Sequence, residues 1–143
     1  MLNDGTILAL DVGSKRIGLA LASYAARLSN PYDTVANDDN IWHVLRTICQ
    51  KEAVKQLVVG LPRGLDSQST TQTAYTEDFA RRLATEVALP LSLVDEAVTS
   101  KQAKAELMAR GKKFAKSDID ALAAVYILED YLHEYMKAEH WEQ

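Results

Sequence analysis

Three carboxylates stand where a folded chain can bring them together. Asp11 follows the apolar run Ile7-Leu8-Ala9-Leu10, Glu96 closes the run that begins Leu91-Ser92-Leu93-Val94, and Asp120 shares a helix face with Ala123, Ala124, Ile127 and Leu128. A carboxylate at the end of an apolar strand is costly to desolvate unless a cation, a donor or water compensates it. Carboxylates converging from separate elements repel one another unless a cation neutralises them. Hard oxygen ligands of this kind select Mg²⁺ or Mn²⁺, which keep waters and bind substrate phosphates. Two such ions about 3.5–4 Å apart would activate water and stabilise the leaving oxygen of a phosphodiester, the chemistry of metal-dependent nucleases. Simpler roles compete. Asp11 can bond the backbone of its own turn. Asp120 can complement the helix dipole in a box with Ser117, although Asp118 suits that role better.

The elements that must position these acids follow from hydrophobic pattern. Residues Ile7 to Ala22 form two aliphatic runs joined at Gly13-Ser14, a hairpin apolar enough to be buried on both faces. Gly18 inside the second run marks close approach of a ligand or another backbone. Ser29-Asn30-Pro31 is a turn, and Tyr32 to Ala36 a short edge strand. Asn37 to Asn40 opens a helix carrying Ile41, Val44, Leu45 and Ile48 and ending near Ala53. Leu57 to Pro62 reads as a buried parallel strand followed by a loop from Arg63 to Ser67. A long helix from about Ser69 to Val87 presents Tyr75, Phe79, Leu83 and Val87 as one stripe. After Pro90 comes the strand ending in Asp95-Glu96, then a helix from Thr99, boxed by Gln102, through Met108. Gly111 stops it, Lys112 to Lys116 form a basic loop, and a last helix runs from Asp118 to about Lys137. A hairpin followed by alternating helix and strand predicts an α/β fold, a mixed sheet with helices on both faces. Ligands in such sheets favour the crevice at the carboxyl ends of the strands.

Composition sets the outer bounds. The 143 residues, 48% hydrophobic and 25% charged, suit one domain over 1–138 with a short polar tail at 139–143. No apolar run approaches the roughly 20 residues that span a bilayer, and no basic-then-apolar leader opens the chain, so a cytoplasmic protein without a membrane partner is expected. Cys49 is the only cysteine and sits among Val44, Leu45 and Ile48, which predicts a buried structural thiol. His43, His133 and His140 lack metal-pair spacing and read as surface or partly buried helix residues. A net charge of −4 argues against a protein that coats nucleic acid by bulk electrostatics. Charge is nevertheless uneven: Lys101 to Lys116 holds six basic residues against Glu106, whereas the tail from Glu129 is acidic.

Four motifs in register carry a family resemblance. Asp11-Val12-Gly13-Ser14-Lys15-Arg16-Ile17-Gly18-Leu19-Ala20, Val59-Gly60-Leu61-Pro62, Asp95-Glu96-x-x-Thr99, and Ile119-Asp120-Ala121-Leu122-Ala123-Ala124-x-x-Ile127-Leu128 together resemble the YqgF (RuvX) family. The resemblance implies an RNase H-like mixed five-stranded sheet and a nuclease dependent on Mg²⁺ or Mn²⁺ that matures the 5′ end of small-subunit ribosomal RNA. By motif position it implies that Asp11, Glu96 and Asp120 are the metal-binding, catalytic acids. Lys15 and Arg16 match its basic pair, placed to contact a phosphate backbone. Arg63 and the loop bearing Lys112, Lys113 and Lys116 are further candidates for nucleic-acid contact. One departure stands out. The family reads Asp-Glu-Arg where this chain has Asp95-Glu96-Ala97, leaving Arg63 or Lys101 to supply the missing guanidinium or ammonium.

Structured RNA is expected as substrate ahead of branched DNA, with the chain acting as monomer or homodimer. A resolvase of Holliday junctions would need a symmetric dimer to cut two strands. A catalytically silent nucleic-acid or ribosome-assembly module is the reading from another class; Ala97 favours it and the three retained acids oppose it. An ATPase of the actin and sugar-kinase type would need a second such domain, for which the chain is too short.

Overall fold

The computed structural model describes residues 5–62, 70–96, 105, 109 and 116–142, with backbone only at 96, 116–118 and 135–142. Strand β1 (Thr6–Val12) and strand β2 (Arg16–Ser23) pair antiparallel from Thr6 opposite Ser23 to Val12 opposite Ile17. The expected hairpin is present, and its loop is Gly13 to Lys15, closed by the Gly13 N–H donating to the Arg16 carbonyl at 2.9 Å. Strand β3 (Asn30–Ala36) lies outside β2 and starts two residues before the expected Tyr32. Pro31 is tolerated there because an edge strand has ladder positions that need no N–H.

Helix α1 (Ile41–Lys51) stops two residues before Ala53, which takes a left-handed φ of 53° and turns the chain into strand β4 (Val54–Pro62). β4 runs parallel to β1, with Leu8 opposite Leu57 and Leu10 opposite Val59. Helix α2 (Thr71–Val87) is entered through Thr70, whose hydroxyl forms a reciprocal capping box with Thr73. Strand β5 (Leu91–Glu96) runs parallel to β4, with Gly60 opposite Val94. Ala105 and Ala109 are helical; the rest of the helix expected from Thr99 lies outside the described residues. Helix α3 (Lys116–Glu142) extends past the expected range at both ends, so Lys116 belongs to its first turn rather than to the preceding loop.

The five strands are ordered β3-β2-β1-β4-β5, a mixed sheet with helices on both faces as expected. Side chains alternate along each strand, so each strand feeds two cores. Leu8, Leu10, Val12, Ile17, Leu19, Leu57 and Val59 pack under α1 and α2, joined by Leu45, Phe79 and Leu83. Ile7, Ala9, Ala20, Ala22 and Val58 pack under α3, joined by Ala124, Ile127 and Leu128. Cys49 is buried in the first core, as its neighbours predicted. His43 and His133 are exposed helix residues, and the His140 side chain lies outside the described residues. The Tyr75 stripe differs from expectation. Tyr75 is 39% exposed while Thr73 and Thr76 are fully buried, because Thr73 is turned inward by its capping role and donates its hydroxyl to the Pro62 carbonyl. Among the described residues no helix is long and apolar enough to cross a membrane.

Candidate active site

Asp11 is the next-to-last residue of β1 and has the parity of Ile7 and Ala9, so it belongs to the α3 face of the sheet. Its partner across the hairpin is Gly18. The parallel ladder with β4 runs as far as Leu10 opposite Val59, one residue short of Asp11. The partner across the hairpin lacks a side chain.

Asp120 reaches the same place from α3. A Cβ built on Gly18 would lie 2.0 Å from the Asp120 carbonyl oxygen and 2.8 Å from the Ala121 nitrogen. Real Cβ atoms do not approach backbone so closely, so only glycine lets the helix cross β2 here. Gly18 is therefore the contact point of another backbone. Ala9, Ala20, Ala123 and Ala124 are all buried around that crossing, and their small side chains keep the helix low on the sheet.

Arg16 opens β2 with the parity of Gly18, which aims it at α3. Its Nε donates to Asp120 Oδ2 at 2.9 Å, the two side chains being 38% and 23% exposed. Lys15 is exposed on the hairpin loop and its carbonyl accepts the Asn37 N–H at 2.9 Å. The loop is braced further by residues that apolar periodicity does not mark. Asn37 Nδ2 donates to the Gly13 carbonyl and to the Tyr75 hydroxyl, both at 2.8 Å, and Gln72 Nε2 donates to the Val12 carbonyl at 3.3 Å. These contacts pin the strand end that carries Asp11 to α2 and to the end of β3.

The backbone of Glu96 closes β5 opposite Pro62, two positions after Val94, whose side chain packs on the α3 core. Its register therefore puts position 96 at the carboxyl end of the sheet, two strands over from Asp11. The side chains of Glu96 and Lys116 lie outside the described residues, as do Arg63, Ala97, Lys101, Lys112 and Lys113 entirely. Among the described residues, no three His, Cys, Asp or Glu side chains cluster as a metal site.

The chain matches the family described as "RuvX: Holliday junction resolvase" over residues 5–134. The chain belongs to the RuvX family. A relative from Clavibacter michiganensis subsp. michiganensis is 38% identical over 134 residues, covering 90% of this chain and 83% of its own. One from Chloroflexus aurantiacus is 37% identical over 136 residues, 92% of this chain and 88% of its own. One from Sulfurihydrogenibium sp. is 33% identical over 128 residues, 88% of each chain. All three bear the name "Putative pre-16S rRNA nuclease". Among solved structures, Thermus thermophilus RuvC in complex with a Holliday junction substrate superimposes with a TM-score of 0.56 at 17% identity. That match spans 92% of this chain and 96% of the RuvC chain, and it establishes the RNase H-like fold of this RuvX-family member.

Proposed function

We propose that this protein is a divalent-metal-dependent nuclease that hydrolyses phosphodiester bonds in precursor small-subunit ribosomal RNA in the cytoplasm, with Asp11, Glu96 and Asp120 as its metal-binding acids. The observation that carries this reading is the meeting of β1, β2 and α3 at Gly18, which puts Asp11 and Asp120 on one face at the carboxyl end of the sheet. Family membership and the names of the relatives support the reaction class and the RNA substrate.

The donor set fits a hard cation. Carboxylate oxygens on two rigid elements are the ligands Mg²⁺ and Mn²⁺ prefer. A cation already lies on one of them, since the Arg16 guanidinium is bonded to Asp120 Oδ2. Asp11, Asp120 and Glu96 would hold the ion, which supplies Lewis-acid charge and activates water when bound. The chain's own residues do the rest. The paired strands fix Asp11 so that little reorganisation is needed at the moment of reaction. Among the described residues Arg16 bonds Asp120 through Nε only, which leaves both Nη groups of its fork for a substrate phosphate. Lys15, exposed one residue earlier, adds charge on the approach. Arg63, Lys112, Lys113 and Lys116 are assigned the same backbone-contacting role.

The family's description favours one rival, a resolvase of four-way DNA junctions, which would require a dimer. Purified protein with Mg²⁺ or Mn²⁺ is to be given a precursor rRNA fragment and a four-way junction side by side. Cleavage of the RNA with the junction left intact is expected. Paired cuts in the junction by a dimer, with the RNA untouched, would replace the proposal with its rival.

A further inference from the structure

A second feature opens at the same end of the sheet, on the face opposite Asp11. Between the start of α1 and the first half of α2 lies a cavity of about 440 Å³, within the usual range for small-ligand sites. Its aromatic wall is Trp42 packed against Phe79, with ring centroids 4.9 Å apart and the planes tilted by 32°, and the Arg82 guanidinium lies 4.8 Å over the Trp42 ring. Tyr75 lines it, 39% exposed. At its mouth stand the exposed carboxylates of Asp38 and Asp39.

We propose that this cavity is a binding subsite for one unpaired nucleobase of the substrate strand, with Tyr75 as its stacking platform. The chemistry selects a base over the alternatives. Two carboxylates at the mouth repel a phosphate, whereas they accept hydrogen bonds from the exocyclic amino group of adenine, cytosine or guanine. The aromatic wall and Arg82 suit a planar ring. Uracil offers those carboxylates two carbonyl oxygens and a single N–H, so it is the disfavoured base.

Position links the subsite to the candidate active site. Asn37 bonds both the Tyr75 hydroxyl and the Gly13 carbonyl, and Gly13 is two residues beyond Asp11. A strand with a phosphate on Arg16, beside Asp11, can lay a neighbouring base over the hairpin loop onto Tyr75. This rests on the nucleic-acid reading above and adds to it that the substrate is unpaired beside the cut.

Trp42 and Trp141 are the chain's two tryptophans, so a Trp141→Phe background makes Trp42 the reporter. Oligoadenylate and oligouridylate hexamers and an RNA duplex are titrated without added metal. Trp42 emission is expected to change on adding oligoadenylate. Tyr75→Ala should weaken hexamer binding about 5- to 150-fold, as loss of one stacked base does, with duplex affinity changed less than twofold. Tyr75→Phe should bind close to wild type, and Asp39→Asn should narrow the preference for adenylate over uridylate. Hexamer binding with Trp42 emission unmoved and Tyr75→Ala at wild-type affinity would overturn the subsite and leave the nuclease reading standing. Should the wild type bind neither hexamer nor duplex, the subsite falls, and the nuclease reading stands or falls on its own cleavage assay with Mg²⁺ or Mn²⁺. If Tyr75→Ala folds poorly, the Trp42 titration of the otherwise wild-type chain decides alone.

Discussion

The two faces of the sheet are built on different rules. Under α1 and α2 the strands present Leu8, Leu10, Leu19 and Leu57, and the layer is held by bulk: Leu45 and Leu83 are wholly buried against them. Under α3 the same strands present Ile7 and Val58 but also the small residues Ala9, Gly18, Ala20 and Ala22, and there the helix sinks until its backbone meets Gly18. Large side chains make a thick, tolerant core, because neighbours can relax partly around a change. Small ones make a thin layer in which backbone meets backbone and nothing can yield. The second arrangement suits the proposed site, because it fixes the height of the Asp120 backbone over Gly18, the residue paired with Asp11.

A methyl group added to the thin face should do the most damage. Gly18→Ala forces α3 off the sheet, with a stability loss of about 3 kcal/mol or more and loss of cleavage even in the molecules that remain folded. Urea titration together with a cleavage assay on the folded fraction checks both. Its counterpart on the thick face is Leu45→Ala, expected to cost about 2–5 kcal/mol while leaving turnover per folded molecule near wild type. If Leu45→Ala loses activity as completely as Gly18→Ala, the division of labour between the faces is wrong.

Cys49 sharpens the comparison from inside the thick core. Burial pushes its thiol up to about 11. A group whose folded value exceeds its unfolded one, near 9, stabilises the fold fully below pH 9. That contribution is lost as pH rises through about 11. The loss is at most about 2–3 kcal/mol, read as a steeper fall in melting temperature above pH 9 than in Cys49→Ala. Native protein should also resist alkylation at pH 8, and rapid labelling would contradict the burial.

Arg16→Gln is expected to move stability least, by under about 1 kcal/mol, because the ion pair with Asp120 is partly open to solvent. Its effect belongs in binding, where nucleic-acid affinity should fall and the salt dependence should flatten by roughly one phosphate contact. An unchanged salt slope would confine Arg16 to bracing Asp120.

How much of this was legible in the chain differs from residue to residue. Asp11 and Asp120 could be placed because strand-end position and three-and-four helix spacing are local signals. Gly18 could be marked as a point of close approach, but whether a ligand or a backbone approached depended on where α3 lands 100 residues later. Apolar periodicity puts Tyr75 on the stripe with Phe79 because it cannot see that Thr73 is drawn inward by its capping box and by the Pro62 carbonyl. The bracing roles of Asn37, which reads as part of a helix entry, and of Gln72 carry no sequence signal for a related reason. Each is an ordinary polar residue whose role exists only once β3 and α2 have been brought beside the hairpin loop.

The central claim is that Asp11 and Asp120, from two elements, act as one site. Its most direct test is the Mg²⁺-dependent cleavage rate of a precursor rRNA fragment by wild type, Asp11→Asn, Asp120→Asn and the double variant, each shown to be folded. Residues that act as a unit are strongly non-additive, so either single substitution should abolish cleavage, with the double no worse than either alone. A single variant that cleaves at the wild-type rate would contradict the claim.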